Sequence, residues 1–454
     1  MIHYLKIRNF GTIKNEVEIN FEVAENQEEN AYEVKMPDGR RLLKLAYIYG
    51  ANASGKTTVL KAFDFLRSIL TQPASNKSKS LPYDPFLFCD NALAQDSSFE
   101  LSFYYHEIRH VYSFRFDKQS VREEKLLFYQ TSRPSELFTR ETENEKRLTK
   151  IQFGSRIKVP ARERDLLESN TLHNNTVLGA YARTNVDIPE LEALSRWLGG
   201  YLMGMITSGD DLTEITAGII DDQPEIREWV NTLLNKADEQ IVDMDIEEKE
   251  QYSNKFKEFL ITSSFSNSVS TFAEEENSFE KTTIKRLFNP EKMTNNRQTV
   301  RELFGRRIEF VHMLENEWSF LLSFEKESSG TRRYFGLGGL LYLLVHGNHL
   351  LCIDELETSL HPDLMKHFLQ VFLMNSNSSQ LLFTTHNLSM MADEDFIRRD
   401  ALWFTEKESD GSVSLYSAAD FDSSTLRKDA SLIKAYKAGK LGAKPNLGSP
   451  LIAK

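Results

Sequence analysis

The sequence predicts an α/β fold whose two halves are separated by a mainly helical insertion. Three observations carry this expectation. An apolar run, Leu43 to Tyr49, ends at a glycine loop and leads into Thr57 to Leu70, where apolar residues recur at helical spacing. A second continuous apolar run, Leu350 to Ile353, lies far down the chain and ends in two carboxylates. Between them, Phe99 to Tyr105 and His110 to Phe116 alternate as antiparallel strands do.

Taken in order, Ile2 to Phe10 and Val17 to Phe21 read as short strands joined by a turn at Gly11, and the acidic stretch Ala24 to Glu33 reads as a loop. Glu107 to Arg109 suit the turn of the hairpin, Leu126 to Tyr129 extend its sheet, and the Lys/Glu-rich segment Glu141 to Lys150 is expected at a surface tip. Helical spacing dominates from Pro189 to Ile206 and from Pro224 to Leu234. In the latter, Ile226, Trp229, Val230, Leu233 and Leu234 share one face and Pro224 stands near the first helical position. Ile241 to Ile246 alternates like a strand, and Ser263 to Asn277 is polar and expected to be mobile. The division that follows is 1–160 and 308–420 as the two parts of one domain, 161–307 as the insertion, and 421–454 as a tail.

Composition narrows the function classes. With 40% hydrophobic and 27% charged residues over 454 positions, the chain can bury a large core. The longest strongly apolar stretch, Phe335 to Val345, falls short of the ~20 residues that cross a bilayer. The opening MIHYLKIRNF has no signal-peptide core, and two distant cysteines, Cys89 and Cys352, make neither a disulfide scaffold nor a cysteine-rich zinc site. A reducing cytoplasm is the expected compartment. A net charge of −12 argues against coating nucleic acid with the whole surface and leaves room for a local basic groove.

Four segments carry chemistry. Gly50-Ala51-Asn52-Ala53-Ser54-Gly55-Lys56-Thr57, followed by Thr58, fits GxxxxGK[ST] in full. Glycines at these places let backbone N–H groups approach phosphate oxygens at the positive end of the next helix. Lys56 then reaches the β- and γ-phosphates of ATP, and the Thr57 hydroxyl a Mg²⁺ ion. Asp354, at the end of the second apolar strand, is placed to hold that Mg²⁺ through water, and Glu355 to orient or deprotonate the attacking water. Ser328-Ser329-Gly330, opening a long apolar helix, makes a second anion site at a helix N-terminus. After Leu381 to Thr384, another strand, His386 is placed to sense the γ-phosphate.

This order of phosphate loop, SSGT, DE strand, turn and strand-end histidine resembles the ABC-type ATPases of the SMC, RecF and OLD group. The opening HYLKIRNFGTI is similar to their first strand. Within that group the chain is similar to bacterial abortive-infection ATPases of the AbiL and RloA type and to the AriA ATPase of PARIS defence, in which ESSGT takes the place of the LSGGQ signature. The tail SLIKAYKAGKLGA, 431–443, is similar as well. The resemblance covers roughly 1–130 and 305–445. It implies a P-loop ABC-type head, with a mixed central sheet, flanking helices and an antiparallel β lobe. It also implies a homodimer or higher homo-oligomer in which two heads sandwich ATP. Ser328 to Gly330 would then contact the γ-phosphate held by Lys56 of another subunit. Glu355 would match the catalytic glutamate, His386 the switch histidine, and Leu360 to Pro362 the D-loop.

The chain departs from the group in three ways. No Q-loop glutamine is assigned between Pro82 and Gln95, no sustained heptads run between 160 and 310, and the chain after His386 is too short for a nuclease domain of the OLD type. The resemblance implies a Mg-dependent ATPase that acts as a switch in anti-phage defence and controls a separate effector protein encoded nearby. The alternative is a RecF- or SMC-like DNA-binding ATPase. For that, residues 281–307 offer eight basic residues (Lys281, Lys285, Arg286, Lys292, Arg297, Arg301, Arg306 and Arg307) against Glu291 and Glu302. A solvated face that pairs with Glu274 to Glu276 accounts for the same cluster without nucleic acid.

Overall fold

Alternation in the N-terminal third resolves into strands β1 (Ile2–Arg8), β2 (Val17–Asn20), β3 (Glu33–Lys35), β4 (Arg41–Leu43) and β5 (Leu45–Gly50). Helix α1 (Lys56–Thr71) and strands β6 (Ser97–Tyr105), β7 (Ile108–Phe116), β8 (Val121–Tyr129), β9 (Ser135–Thr142) and β10 (Thr149–Phe153) follow. Next come α2 (Ala161–Asn170), α3 (Val177–Tyr181), α4 (Pro189–Tyr201), α5 (Leu212–Asp222), α6 (Pro224–Ala237) and strands β11 (Ile241–Glu248), β12 (Arg306–Met313) and β13 (Ser319–Ser323). The C-terminal part contains α7 (Ser329–His346), β14 (Leu350–Ile353), α8 (Pro362–Asn375), β15 (Gln380–Thr384), β16 (Leu402–Lys407), β17 (Val413–Ser417) and α9 (Leu432–Lys437). These assignments come from a computed structural model that describes residues 1–25, 30–143, 145–222, 224–248, 306–314, 318–393, 398–422, 426 and 430–445. Ser263 to Asn277 and the basic positions from Lys281 to Arg301 lie outside the described residues.

The chain divides into two units, Met1–Ile206 with Asn348–Leu356 and Asn377–Lys454, and Thr207–Gly347 with Glu357–Ser376. In the first, β10-β9-β8-β7-β6-β1-β2 form one antiparallel sheet and β14-β15-β5-β16-β17 another. Strands β14, β15, β5 and β16 run parallel, and β17 closes the edge antiparallel. All six residues of β5 are buried, which explains its unbroken apolar run: a strand covered on both faces has no polar side. At the other edge, Leu202 and Ile206 bridge to Leu350 and Ile353, so β14 does not end the sheet bare. Helix α1 ties the two sheets together. Its Phe65 ring meets Phe10, Phe99 and Phe116 at centroid distances of 5.3, 5.1 and 5.0 Å. The tail also packs into this unit, with Tyr436 of α9 stacked on Phe404 of β16.

The expected α/β class holds, with the mixed sheet and the antiparallel lobe both present. Several local expectations change. The hairpin turn falls on His106 and Glu107, not on Glu107 to Arg109, and both residues take left-handed backbone angles (φ 43° and 63°). That is the conformation of a tight two-residue turn, here without the usual Asn-Gly signal. The expected tip at Glu141 to Lys150 is found, with residues 143 and 145–148 exposed and outside strands, but its two ends are sheet, because Thr142 pairs with Thr149 and Glu141 with Lys150. The strand signal was hidden by a charged residue facing inwards. Arg140 is buried and donates to the carbonyl oxygen of Val121 at 2.7 Å.

In the second unit, α7 packs against α5 and α6, and the expected strand at Ile241 to Ile246 is present as β11, which joins β12 and β13 in a three-stranded sheet that runs from the expected insertion into the part expected from residue 308 on. Helices α2 to α4, also assigned to the insertion, belong to the first unit. Gly336 and Gly339 of α7 allow close packing. A Cβ at Gly336 would lie 2.7 Å from Leu212, and one at Gly339 would lie 2.5 Å from the Thr216 hydroxyl.

Candidate active site

The phosphate loop follows β5, in the middle of the parallel sheet, where strand C-terminal ends face a shared crevice. Two residues after Gly50 turn the chain sharply: Ala53 at φ 60° and Gly55 at φ 93°. Gly55 is the N-cap of α1, so the loop ends where the helix presents its free N–H groups. Neither loop glycine leaves space for a side chain. A Cβ at Gly50 would lie 2.4 Å from the hydroxyls of Ser54 and Thr405, and one at Gly55 would lie 2.6 Å from Val413. Ser54 is buried, with its Oγ 2.7 Å from Thr405 Oγ1, which ties the loop to β16. Asn52 and Ala53 are exposed at the apex. Lys56 is folded back over its own loop, and its ammonium donates to the carbonyl oxygens of Gly50 and Ala51, each at 3.0 Å. Thr58 accepts a 3.0 Å hydrogen bond from the Thr12 hydroxyl.

Sheet register brings the acidic residues to this loop. Ile353 pairs with Phe383 and Thr384 with Ile48, so the residue after Ile353 emerges level with the end of β15. Asp354 then accepts two hydroxyl hydrogen bonds, from Thr57 at 2.9 Å and from Thr384 at 2.5 Å. The Thr384 hydroxyl also accepts from the Glu355 N–H at 2.8 Å. Glu355 itself has φ 51°, a left-handed conformation that costs an ordinary residue roughly 1–3 kcal/mol. His386 Nε2 stands 3.9 Å from Glu355 Oε1, both side chains part-exposed. The segment after His386 is held by the Tyr49 hydroxyl, which donates to the Asn387 carbonyl oxygen.

Lys56, Thr57, Asp354, Glu355 and His386 therefore lie within one unit, around the ends of β5, β14 and β15. Sequence reasoning missed Thr384. A threonine inside an apolar strand carries no motif signal, and only the register shows that it touches both carboxylate-bearing residues. The Thr57 hydroxyl and Asp354 carboxylate are adjacent hard-oxygen donors, the type that suits Mg²⁺ with the remaining positions left to phosphate and water.

Ser328 to Gly330 lie in the second unit. Ser328 caps α7, accepting from the Thr331 N–H at 3.0 Å, which leaves the following N–H groups at the open end of an 18-residue helix. A Cβ at Gly330 would approach the Ser359 carbonyl oxygen to 3.2 Å, so glycine lets the signature-like turn pack on the segment before Leu360 to Pro362. Beside it is a cleft of about 480 Å³ lined by Ser329, Arg332, Arg333, Ser359 and the acidic Asp210 and Asp211, among others. Arg332 Nε and Arg333 Nε and Nη2 are buried and have no hydrogen-bond partner among the described residues. Burial pushes the Arg333 guanidinium below its ordinary pKa, with Asp210 opposing that shift. Unspent guanidinium donors beside a helix N-terminus suit an anion. The sequence pointed to the helix N-terminus but not to the two arginines.

No helix among the described residues is long and apolar enough to cross a membrane. No curated protein matches the chain in sequence. Most of its length is similar in fold to solved SMC heads, among them the following three. The first, bound to the C-terminal winged-helix domain of ScpA, is 13% identical with a TM-score of 0.47, and the match covers 96% of this chain and 99% of that one. The SMC head from Thermotoga maritima is 11% identical with a TM-score of 0.40, covering 92% and 98%. The SMC head with extended coiled coil bound to the C-terminal domain of ScpA, derived from Pyrococcus furiosus, is 15% identical with a TM-score of 0.38, covering 98% and 99%. A family profile described as "AAA domain, putative AbiEii toxin, Type IV TA system" matches residues 45–180 and 235–392, which contain the phosphate loop, the signature-like turn, both carboxylates and the strand-end histidine. The chain belongs to this family of AAA domains.

Proposed function

We propose that the protein hydrolyses ATP at the Lys56 loop and uses the cycle as a switch in abortive-infection defence, controlling a separate effector protein. One observation carries the catalytic part. Asp354 and Glu355 are pinned by a single hydroxyl, that of Thr384, beside the lysine and threonine of the phosphate loop. In this reading the backbone N–H groups of residues 52–58 cradle the phosphates. Lys56 leaves its carbonyl partners for the phosphate oxygens, an exchange of neutral acceptors for charged ones that favours binding. Thr57 and Asp354 would hold Mg²⁺, which neutralises charge on the β- and γ-phosphates. Glu355 orients the attacking water and accepts its proton, and His386, across from Glu355, contacts the γ-phosphate. Thr384 is a positioning residue: it fixes the Asp354 carboxylate and the Glu355 peptide together.

The second anion site gives the switch its form. Ser328 to Gly330, with Arg332 and Arg333, would meet the γ-phosphate held by another copy, so ATP joins two chains and hydrolysis releases them. The resemblance to AbiL-, RloA- and AriA-type ATPases supports the defence setting. The test is affinity purification of tagged Glu355→Gln expressed with its neighbouring genes. A stoichiometric neighbour-encoded protein with little nucleic acid supports the effector-controlling switch. Abundant DNA and no protein partner would replace it with a RecF- or SMC-like DNA-clamping ATPase.

A further inference from the structure

Outside the phosphate-loop site, one buried ionisable pair stands next to the proposed second anion site. His312, on β12, and Glu327, the residue just before the N-cap Ser328, are both buried, at 6% and 8% exposure. Their side chains meet at 2.6 Å, Nε2 to Oε1. An ionised carboxylate only accepts, so the imidazole Nε2–H is the donor. The imidazole also stacks on Phe320 of β13, with centroids 5.3 Å apart and planes 15° from parallel. On the other side of Glu327, its N–H donates to the Phe324 carbonyl oxygen at 3.2 Å, closing the turn that leads into the cap.

We propose that His312 is a positioning residue for the signature-like turn. It holds Glu327, and Glu327 fixes where Ser328 caps α7 and where the N–H groups of Ser329 and Gly330 point. The body of α7 is attached to this sheet by apolar contact, since Phe335 meets Phe310 at 5.6 Å and Phe324 at 5.7 Å. Directional bonds hold the middle of the helix, where the Thr216 hydroxyl donates to the Gly336 carbonyl oxygen at 2.7 Å and accepts from the Gly339 N–H at 3.2 Å, whereas the ring contacts to this sheet are non-directional and do not by themselves orient the turn before the cap. A short hydrogen bond to a charge is directional, and removing one partner strands the other in a dry site. The pair thus makes the geometry of the anion site depend on the β12–β13 hairpin. This inference rests on the proposed contact of Ser328 to Gly330 with ATP held by a second copy.

The experiment compares the full chain with His312→Ala, His312→Gln and Glu327→Gln. It measures fluorescent-nucleotide affinity, kcat and KM for ATP, and ATP-dependent self-association by sedimentation. His312→Ala should keep nucleotide affinity within about twofold of the unmodified chain, lower kcat at least tenfold, and abolish self-association. His312→Gln, whose amide still donates to Glu327, should recover most of both losses, and Glu327→Gln should fall between the two. Unchanged kcat and association in His312→Ala would overturn the proposal. So would equal losses in the Ala and Gln variants, or a parallel loss of nucleotide affinity, each of which marks general packing. If the unmodified chain binds and hydrolyses ATP yet never associates, the two-copy reading fails first and takes this inference with it.

Discussion

Replacing Thr384 by valine removes one hydroxyl and almost no volume from a fully buried site. Two hydrogen bonds go with it, the 2.5 Å bond donated to Asp354 and the 2.8 Å bond accepted from the Glu355 N–H. A bond to a charged group is worth roughly 1.5–3 kcal/mol and a neutral one about 0.5–1.5 kcal/mol. The Glu355 N–H, in a residue already in a left-handed conformation, then loses its hydroxyl acceptor, while the flanking backbone bonds of Asp354 and Leu356 remain. If most of this loss falls on the transition state, the barrier rises by about 3 kcal/mol, or roughly 10²-fold in kcat. Nucleotide affinity should change little, because the phosphate loop and Lys56 are untouched. Thr384→Ser keeps the hydroxyl and should restore turnover to within severalfold. The assay is steady-state phosphate release alongside fluorescent-nucleotide titration and thermal unfolding. A Thr384→Val protein that turns over within threefold of the unmodified chain would refute the positioning argument.

Other perturbations test separate parts of the account. Gly55→Ala meets both a left-handed φ of 93° and Val413 at 2.6 Å, so it should abolish nucleotide binding and lower the melting temperature, unlike Lys56→Ala, which should abolish binding with the fold intact. Gly330→Val should leave nucleotide affinity unchanged while blocking ATP-dependent self-association in sedimentation, since its side chain would press on the Ser359 carbonyl. His110 is held by burial at a pKa of about 4, so the fold favours its neutral form. Its stabilising contribution is complete above the unfolded value of about 6.5 and is lost as pH falls from there towards 4. That loss amounts to at most about 3 kcal/mol. Urea unfolding of His110→Phe, which keeps a ring against Phe103, should show a flatter stability profile between those pH values than the parent chain.

The parts legible in the sequence are those where one strong constraint acts on consecutive residues. β5 and β14 are covered on both faces and read as apolar runs, and the phosphate loop is a contiguous backbone device with fixed glycine positions. Pro224 opens α6 at the position where a missing N–H costs nothing. What the sequence hid depends on pairing between distant segments. β9 and β10 carry buried polar residues, Arg140, Thr142 and Thr149, so their alternation is masked, and β13 exposes Phe320 and Leu321, which reads as neither face. Thr384 and His312 are unremarkable in sequence. Each becomes informative only once a parallel or antiparallel register brings it to a carboxylate.

The central claim is that the Lys56 loop and the Asp354–Glu355 pair form a working ATPase. The most direct measurement is single-turnover phosphate release from the purified chain with ATP and Mg²⁺, set beside Lys56→Ala and Glu355→Gln. The account predicts turnover by the unmodified chain, no nucleotide binding by Lys56→Ala, and tight binding with hydrolysis slowed at least a hundredfold in Glu355→Gln. Undiminished hydrolysis in Glu355→Gln, or ATP binding that survives Lys56→Ala, would contradict it.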